Sequence, residues 1–295
     1  MTHYDIIGDV HGCASKLIAL LEAMDYRPDQ AGVYRHPERT ALFVGDLIDR
    51  GPEQLEVLRL VKAMVDAGSA QIVMGNHEFN AIAWATTHPE TGEHLREHSP
   101  ENSRQHAEFV EQLSEADQAY YVDWFKTLPL WLDLGGIRVV HACWHPQSMA
   151  VVLEATGGTG RLTGLAEIVE ANRKHSDLYQ AVEVLLKGPE ISLVDHEMVA
   201  YYDHEAHKPR EKARIAWWKD GATTLPDLAE LRGARLENGD GYPTYESREL
   251  NHPGYLGYVY TDQVPLFYGH YWRTWAPTHR DEWTTYTACV DFSAV

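Results

Sequence analysis

The chain has 295 residues, of which 44% are hydrophobic and 11% aromatic, and its 44 acidic and 25 basic side chains leave a formal net charge of −19. This length and apolar content predict a globular protein with a sizeable core, not a disordered chain, and no apolar run is long enough to span a bilayer, so no membrane association is expected. The negative field disfavours long nucleic acid and anionic lipid, although bound cations can make one pocket locally positive.

The N-terminus, MTHYDIIGD, has neither a basic nor an apolar leader region, so no secretory signal is expected. Cys13, Cys143 and Cys289 are odd in number and scattered, which predicts free thiols in a reducing, cytoplasmic setting rather than a disulfide framework. YDIIGDV (4–10) then reads as a strand and ASKLIALLEAMD (14–25) as an amphipathic helix. TALFVGD (40–46) is a second strand, EQLEVLRLVKAMVDAG (53–68) a second helix, AQIVMGN (70–76) a third strand and HEFNAIAWA (77–85) a third helix. This β-α-β-α-β order with apolar strands predicts a parallel sheet covered on both faces. Ligands of such sheets gather at the carboxyl ends of the strands. GDVHG (8–12), GDLIDRG (45–51) and GNHE (75–78) all fall at that end.

Residues 86–126 form a polar, His- and Glu-rich excursion, helical toward its end. PLWLDLGGIRVVHACWH (129–145) predicts a hairpin turning at Gly135-Gly136, and the second strand ends at His141. Residues 151–195 read as helical, and 196–255 as long loops including DHEAHKPREK (203–212) and ENGDGYPTYESRELNHPGY (237–255). In KPREKARIAWW (208–218), Arg210 and Arg214 are four apart, a helical spacing, and Trp217 and Trp218 follow. VPLFYGHYW (264–272) and TTYTACVDF (284–292) predict two closing strands. No internal repeat is present, and the expectation is one domain over 1–295, with the excursion at 86–126 and an irregular substrate-side region at 196–255.

Asp9 and His11 are two residues apart and point the same way if the backbone is extended. Both are ordinary ligands of a transition metal. Asp46, Asn76, His141 and His270 repeat the placement, each at a predicted strand end. Any one of them alone reads equally well as a helix N-cap or a satisfied buried polar group. As a set they suit two metals bridged by a carboxylate, an arrangement that clamps a phosphoryl group and generates hydroxide near neutral pH.

The ordered motifs GDVHG, GDLIDRG and GNHE, followed by lone histidines, resemble the calcineurin-like metallophosphoesterase superfamily. Asp-Arg inside the middle motif resembles its phosphoprotein-phosphatase branch. YDIIGDVHGC and FYGHYW…ACVDF look most like bacterial members, including diadenosine tetraphosphate hydrolases and small bacterial phosphatases. The likeness covers 4–80 closely, 137–147 and 264–292 more loosely, and leaves 86–126 and 150–255 unmatched. It implies an αββα four-layer sandwich with two mixed β-sheets. It also implies two divalent transition metal ions, manganese first, with iron, zinc or cobalt as alternatives.

By that resemblance Asp9 and His11 bind the first metal, Asp46 bridges, and Asn76, His141 and His270 complete the second. Metal-bound hydroxide attacks a phosphomonoester or phosphoanhydride while His77 protonates the leaving oxygen. Asp49 holds the His77 imidazolium, and Arg50 forks two hydrogen bonds to the phosphoryl oxygens. HACWHP (141–146) departs from the pattern, since small residues are more usual there. Cys143 is expected as a buried thiol rather than a soft ligand, and His145 is a candidate contact to substrate. Relatives also carry one more strand beyond CVDF. Arg214, ahead of Arg210, is the candidate second arginine on the substrate. That substrate is a phosphorylated small molecule, a nucleotide such as a dinucleoside polyphosphate stacked on aromatics of 217–275, or a phosphorylated Ser/Thr or Tyr side chain of a protein. An inactive metal-binding scaffold is the distant alternative, disfavoured because it needs no acid, no bridge and no phosphate clamp.

Overall fold

In chain order the elements are β1 (His3–Ile7), α1 (Ala14–Ala23), β2 (Arg27–Pro28), β3 (Tyr34–Arg35), β4 (Arg39–Phe43), α2 (Gln54–Asp66), β5 (Ala70–Ile72) and α3 (Asn76–Ala85). There follow α4 (Pro100–Gln105), α5 (Ala107–Gln112), α6 (Glu115–Phe125), β6 (Trp131–Asp133), β7 (Arg138–Val140), α7 (Pro146–Ala155), α8 (Leu165–Asn172) and α9 (Asp177–Lys187). β8 (Glu190–Ser192), β9 (Lys212–Arg214), α10 (Leu225–Leu228), β10 (Leu266–Tyr268) and β11 (Thr287–Cys289) complete the chain. The computed structural model describes residues 3–202, 209–219, 224–231, 233–243, 258–273 and 283–292. The chain resolves into two units, 1–187 with 264–295, and 188–263.

In the first unit β1, β4 and β5 form a parallel sheet in that order, with Ile7 opposite Phe43 and Phe43 opposite Ile72. β4 is central and apolar on both faces, as a sheet covered on both sides requires. Its alternation divides the core. Ala41 and Phe43 belong to the cluster that includes Leu17 and Leu21 of α1 and Val57, Leu58 and Val61 of α2. Leu42 and Val44 point the other way and meet Val73 and Val139, with Tyr4, Ile6, Leu132 and Val290 packed around them. That second cluster is the seam between the two sheets, because Val139 lies on β7 and Leu132 on β6 of a four-stranded mixed sheet in the order β11-β10-β7-β6. β10 pairs in parallel with β7 and β11, and only β6 runs antiparallel. This is the layered α/β sandwich that the resemblance implies, except that the β1-β4-β5 sheet is parallel in its described strands and only the β11-β10-β7-β6 sheet is mixed.

α2 shows why the helical faces are legible: its buried Gln54, Val57, Leu58, Val61 and Met64 recur at three- and four-residue intervals. Gly8, just past β1, packs tightly against Val290, just past β11. A Cβ there would lie 2.1 Å from the Val290 carbonyl oxygen, so only glycine fits.

The polar excursion is more than a surface appendage. Phe109, Leu113, Tyr121, Val122, Trp124 and Phe125 are buried in the main core, carried by α5, α6 and the turn between them. Two features differ from the sequence reading here. A hairpin of two-residue strands, β2–β3, intervenes between α1 and β4, its strands too short to leave a periodic signal.

The second departure lies in the second unit, where Lys212–Arg214 of KPREKARIAWW form strand β9 and not the helix face that the arginine spacing also suits. β9 pairs antiparallel with β8, Ile191 opposite Ala213, and Ala213 and Ile215 are buried in a local core with Leu193 and Leu228. A spacing of four suits an extended chain as well as a helix; Arg214 ends β9, and Arg210 lies before it in an isolated bridge to Tyr201. Trp217 and Trp218 are 0% and 1% exposed and pack edge to face at 5.6 Å, so neither offers a face to a base. The loop expectation for 203–208 and 244–257 lies outside the described residues.

Candidate active site

Each motif sits where the strand reading places it. GDVHG follows β1, GDLIDRG follows β4, GNHE follows β5, His141 follows β7 and His270 lies just beyond β10. The first two loops are stitched together by backbone. Val10 and His11 N–H both donate to the Asp46 carbonyl at 3.0 Å, Gly12 N–H to Leu47 O at 2.8 Å, and Gly51 N–H to His11 O at 3.0 Å. The conformations are costly. His11, Asp46, Asp49, Arg50 and His270 all have positive φ, five of the eight such non-glycine residues among those described. Backbone strain of this kind persists only where the surroundings over-determine it, and it clusters at functional loops.

The ring nitrogens report their own tautomers. His11 Nδ1 lies 2.8 Å from Ile48 O and His141 Nδ1 2.7 Å from Val44 O. A carbonyl only accepts, so both Nδ1 atoms carry the hydrogen, and a neutral ring then turns a lone pair outward at Nε2. His141 Nε2 is 2.9 Å from Asn76 Oδ1 and 3.4 Å from Asp46 Oδ2, and His11 Nε2 is 3.8 Å from the same Asp46 oxygen. Acceptors turned on acceptors in a buried site need a cation or a proton between them. Two ligand groups result: His11, Asp46 and His77, and Asp46, His141 and His270, their donor atoms within 4.8 Å of one another in each group. Asp46 is common to both. Asp9 is in neither group. Its Oδ2 accepts the His270 N–H at 3.3 Å, while its Oδ1 is buried with no hydrogen-bond partner, an orphan that a cation would satisfy. The donor set of imidazole, carboxylate and amide oxygens fits divalent transition metals.

Burial raises the Asp9 carboxyl well above its usual range, and the Asp291 and Asp46 carboxylates push the same way. Asp46 stays well below its range although burial opposes this, because His141, His77 and His11 surround it. Burial, with the positive charge of His77, lowers His11 to about 3, so its ring is neutral and able to ligate.

His77 behaves differently. Its Nδ1 lies 2.5 Å from Asp49 Oδ2, and its backbone N–H donates to Asp46 Oδ1 at 2.9 Å. Burial works against its charged form, but Asp46 and the bond to Asp49 outweigh burial and hold it up at about 8. Burial likewise opposes ionisation of Asp49, whose bonds from His106 and His77 hold it down at about 2. Arg50 is exposed, with its charge close enough to lower both His11 and His77.

His145 caps α7, its Nδ1 accepting the Ser148 N–H at 3.2 Å and lying 2.8 Å from Ser148 Oγ. Cys143 is buried, and burial raises its thiol well above the usual range, so it is the inert thiol expected. Arg214 ends β9 and is half-buried, and Arg210 is exposed and bridges by backbone to Tyr201, both within the second unit.

Three site residues escaped the sequence reading. Glu78, 0% exposed, accepts the backbone N–H groups of Asp46 and Gly75 at 2.9 Å and of Leu47 at 2.8 Å, locking the second loop to the third. Its place as the fourth residue of GNHE, three beyond the Gly75 N-cap, was the available signal. Gly75 serves the same contact, since a Cβ there would lie 2.2 Å from Asp46 Oδ1. Asp291, in CVDF, is buried beside Asp9. His106, whose Nδ1 lies 2.8 Å from Asp49 Oδ1, comes from the polar excursion and had no sequence signal.

Residues 3–271 match the family model described as calcineurin-like phosphoesterase. The chain belongs to this family. Family membership implies divalent metal ions, for which the two groups around Asp46 are the candidate ligands. Among curated relatives, the asymmetrical bis(5'-nucleosyl)-tetraphosphatase PrpE of Halalkalibacterium halodurans is 52% identical over 75 residues, 25% of this chain and 30% of that protein. The PrpE of Bacillus velezensis is 32% identical over 145 residues, 47% of this chain and 55% of that protein. The chain therefore spans at most about half the length of these relatives. A solved mutant of a cold-active protein tyrosine phosphatase aligns over 98% of this chain and 72% of its own at 15% identity, with a TM-score of 0.43.

Proposed function

We propose that the protein is a dinuclear-metal phosphoesterase that hydrolyses a phosphomonoester or a phosphoanhydride. The observation that carries this reading is the placement of the His77–Asp49 pair against Asp46, the residue shared by both ligand groups. Asp9, His11, Asp46, Asn76, His141 and His270 would hold two divalent ions, manganese foremost. Bound there, such ions supply Lewis acidity toward the phosphoryl group and ease the ionisation of water.

The chain's own residues do the rest. Asp49 fixes the Nδ1–H of His77, so a proton on Nε2 is presented toward the Asp46 side of the site, where Nε2 lies 3.9 Å from Asp46 Oδ2. A ring whose Nδ1–H is held by Asp49 can carry a proton at Nε2, which suits His77 to the leaving oxygen rather than to a metal. Arg50, exposed and without a hydrogen bond or ion pair among the described residues, would take the phosphoryl oxygens in a two-pronged contact.

The names of the curated relatives favour a dinucleoside polyphosphate as substrate. A phosphorylated protein side chain is the competing class. Three free thiols support a reducing compartment, hence the cytoplasm. Among the described residues no helix is long and apolar enough to cross a membrane. Arg214, Arg210 and His145 stay as candidates for substrate contact. The test is a panel with manganese present: diadenosine polyphosphates, phosphopeptides, and an aryl phosphate as mono- and diester. Turnover of the diadenosine compounds above all others supports the reading, and no turnover of any member contradicts it.

A further inference from the structure

Helix α5 reaches the catalytic loop from both of its ends. His106, the residue that precedes it, gives its Nδ1–H to Asp49 Oδ1 at 2.8 Å. Gln112, its last residue, donates from Nε2 to Gly51 O at 3.1 Å and accepts the Gln54 N–H at 3.0 Å through Oε1. Between these contacts lie Asp49 and Arg50, both at φ 68, a conformation that non-glycine residues hold only under external constraint. Gln54 adds an inner brace, accepting the Asp49 N–H at 2.8 Å and donating to Gly51 O at 2.8 Å. α5 is itself anchored: Phe109 is 2% exposed and stacks on the His106 ring at 4.8 Å, and Trp84 meets that ring at 5.5 Å.

We infer that α5 is a clamp on the catalytic loop, in which His106 is a positioning residue for Asp49 and through it for His77, while Gln112 holds the backbone that carries Arg50. The inference rests on the phosphoesterase reading above. A carboxylate with one partner can rotate about its terminal torsion. With His77 on one oxygen and His106 on the other it cannot, so the His77 ring is aimed before substrate arrives. The segment 86–126 is thereby part of the catalytic apparatus, although it carries none of the expected ligands.

Two substitutions separate positioning from packing. His106→Phe keeps a ring against Phe109 and Trp84 but removes the N–H. His106→Asn gives up the ring but returns an amide N–H near the place of Nδ1. With metal content verified as equal, His106→Phe is expected to lower kcat by about 10- to 100-fold with little change in KM. The loss is expected to be greatest for poor leaving groups, which depend on proton delivery by His77, and His106→Asn should recover most of it. Gln112→Met should raise KM for every phosphoryl substrate by about tenfold, acting through Arg50. Amide hydrogen exchange over residues 49–54 should quicken in His106→Phe and stay near wild type in His106→Asn. Equal impairment of the two variants, or a wild-type rate, leaving-group dependence and exchange in His106→Phe, would overturn the clamp. A wild-type protein inactive on every phosphate substrate would overturn the functional reading instead, and the exchange comparison would still decide the clamp.

Discussion

At the scale of single residues the site is a set of charges that hold one another in place. His77 is raised to about 8 and Asp49 is depressed to about 2, so across neutral pH they form an ion pair. His77→Asn should keep the metals but lose on the order of 10²–10⁴ in rate, the usual share of a positioned acid. The loss should shrink as the leaving group improves; an equal loss for good and poor leaving groups would remove the acid role. The same shifts predict how stability depends on pH in the metal-free protein. Asp49 is depressed, so its contribution of about 2 kcal/mol is present above its unfolded value of 3.8 and lost as pH falls through about 2. His77 is raised, so its contribution is full below 6.5 and lost as pH rises through about 8. The urea-midpoint gap between wild type and Asp49→Asn should therefore close on acidification, and the gap to His77→Asn should close on alkalinisation. Gaps that ignore pH would show that the pair does not exist in solution.

At the scale of elements, the loops after β1, β4 and β5 form one unit, because backbone bonds and the Glu78 carboxylate tie them together. Glu78→Ala would strand three buried N–H groups at roughly 1–3 kcal/mol each. Unfolding free energy should fall by about 3 kcal/mol or more, read from urea denaturation. A change within about 0.5 kcal/mol, as at an ordinary surface site, would contradict the lock. The elements that position the ligands were legible in the sequence because each is locally periodic: the alternating faces of β4 and the three- and four-residue rhythm of α2 need no tertiary knowledge. His106 was not legible, since its neighbours are polar and its partner Asp49 is 57 residues away. Arg210 and Arg214 show the opposite failure, for a spacing of four is common to a helix face and a strand face, and pairing with β8 decides between them. The two tryptophans after them suit either a core or a stacking surface by sequence, and their burial leaves them no face for a base.

At the scale of the whole molecule, the proposed reaction would bring an anionic phosphate to a chain with a net charge of −19. On the proposed reading bound cations would resolve the conflict, since divalent ions at the two candidate groups around Asp46 would make the pocket positive while the surface stays acidic. Family membership implies divalent ions, and Asp46 is the residue shared by the two candidate ligand groups. Arg214→Ala, in the second unit, tests where specificity lies: a loss that differs between diadenosine and aryl substrates marks a substrate contact, and a uniform wild-type kcat/KM moves the search elsewhere. The central claim is the pair of ions around Asp46, and one titration addresses it most directly. Metal-free protein is loaded with manganese while bound metal and hydrolysis of an aryl phosphate are followed together, for wild type and Asp46→Ala. Activity should rise from zero and reach its plateau at about two ions per chain, and Asp46→Ala should neither load fully nor turn over. Full turnover by metal-free wild type, or a plateau unaffected by loss of Asp46, would contradict the account.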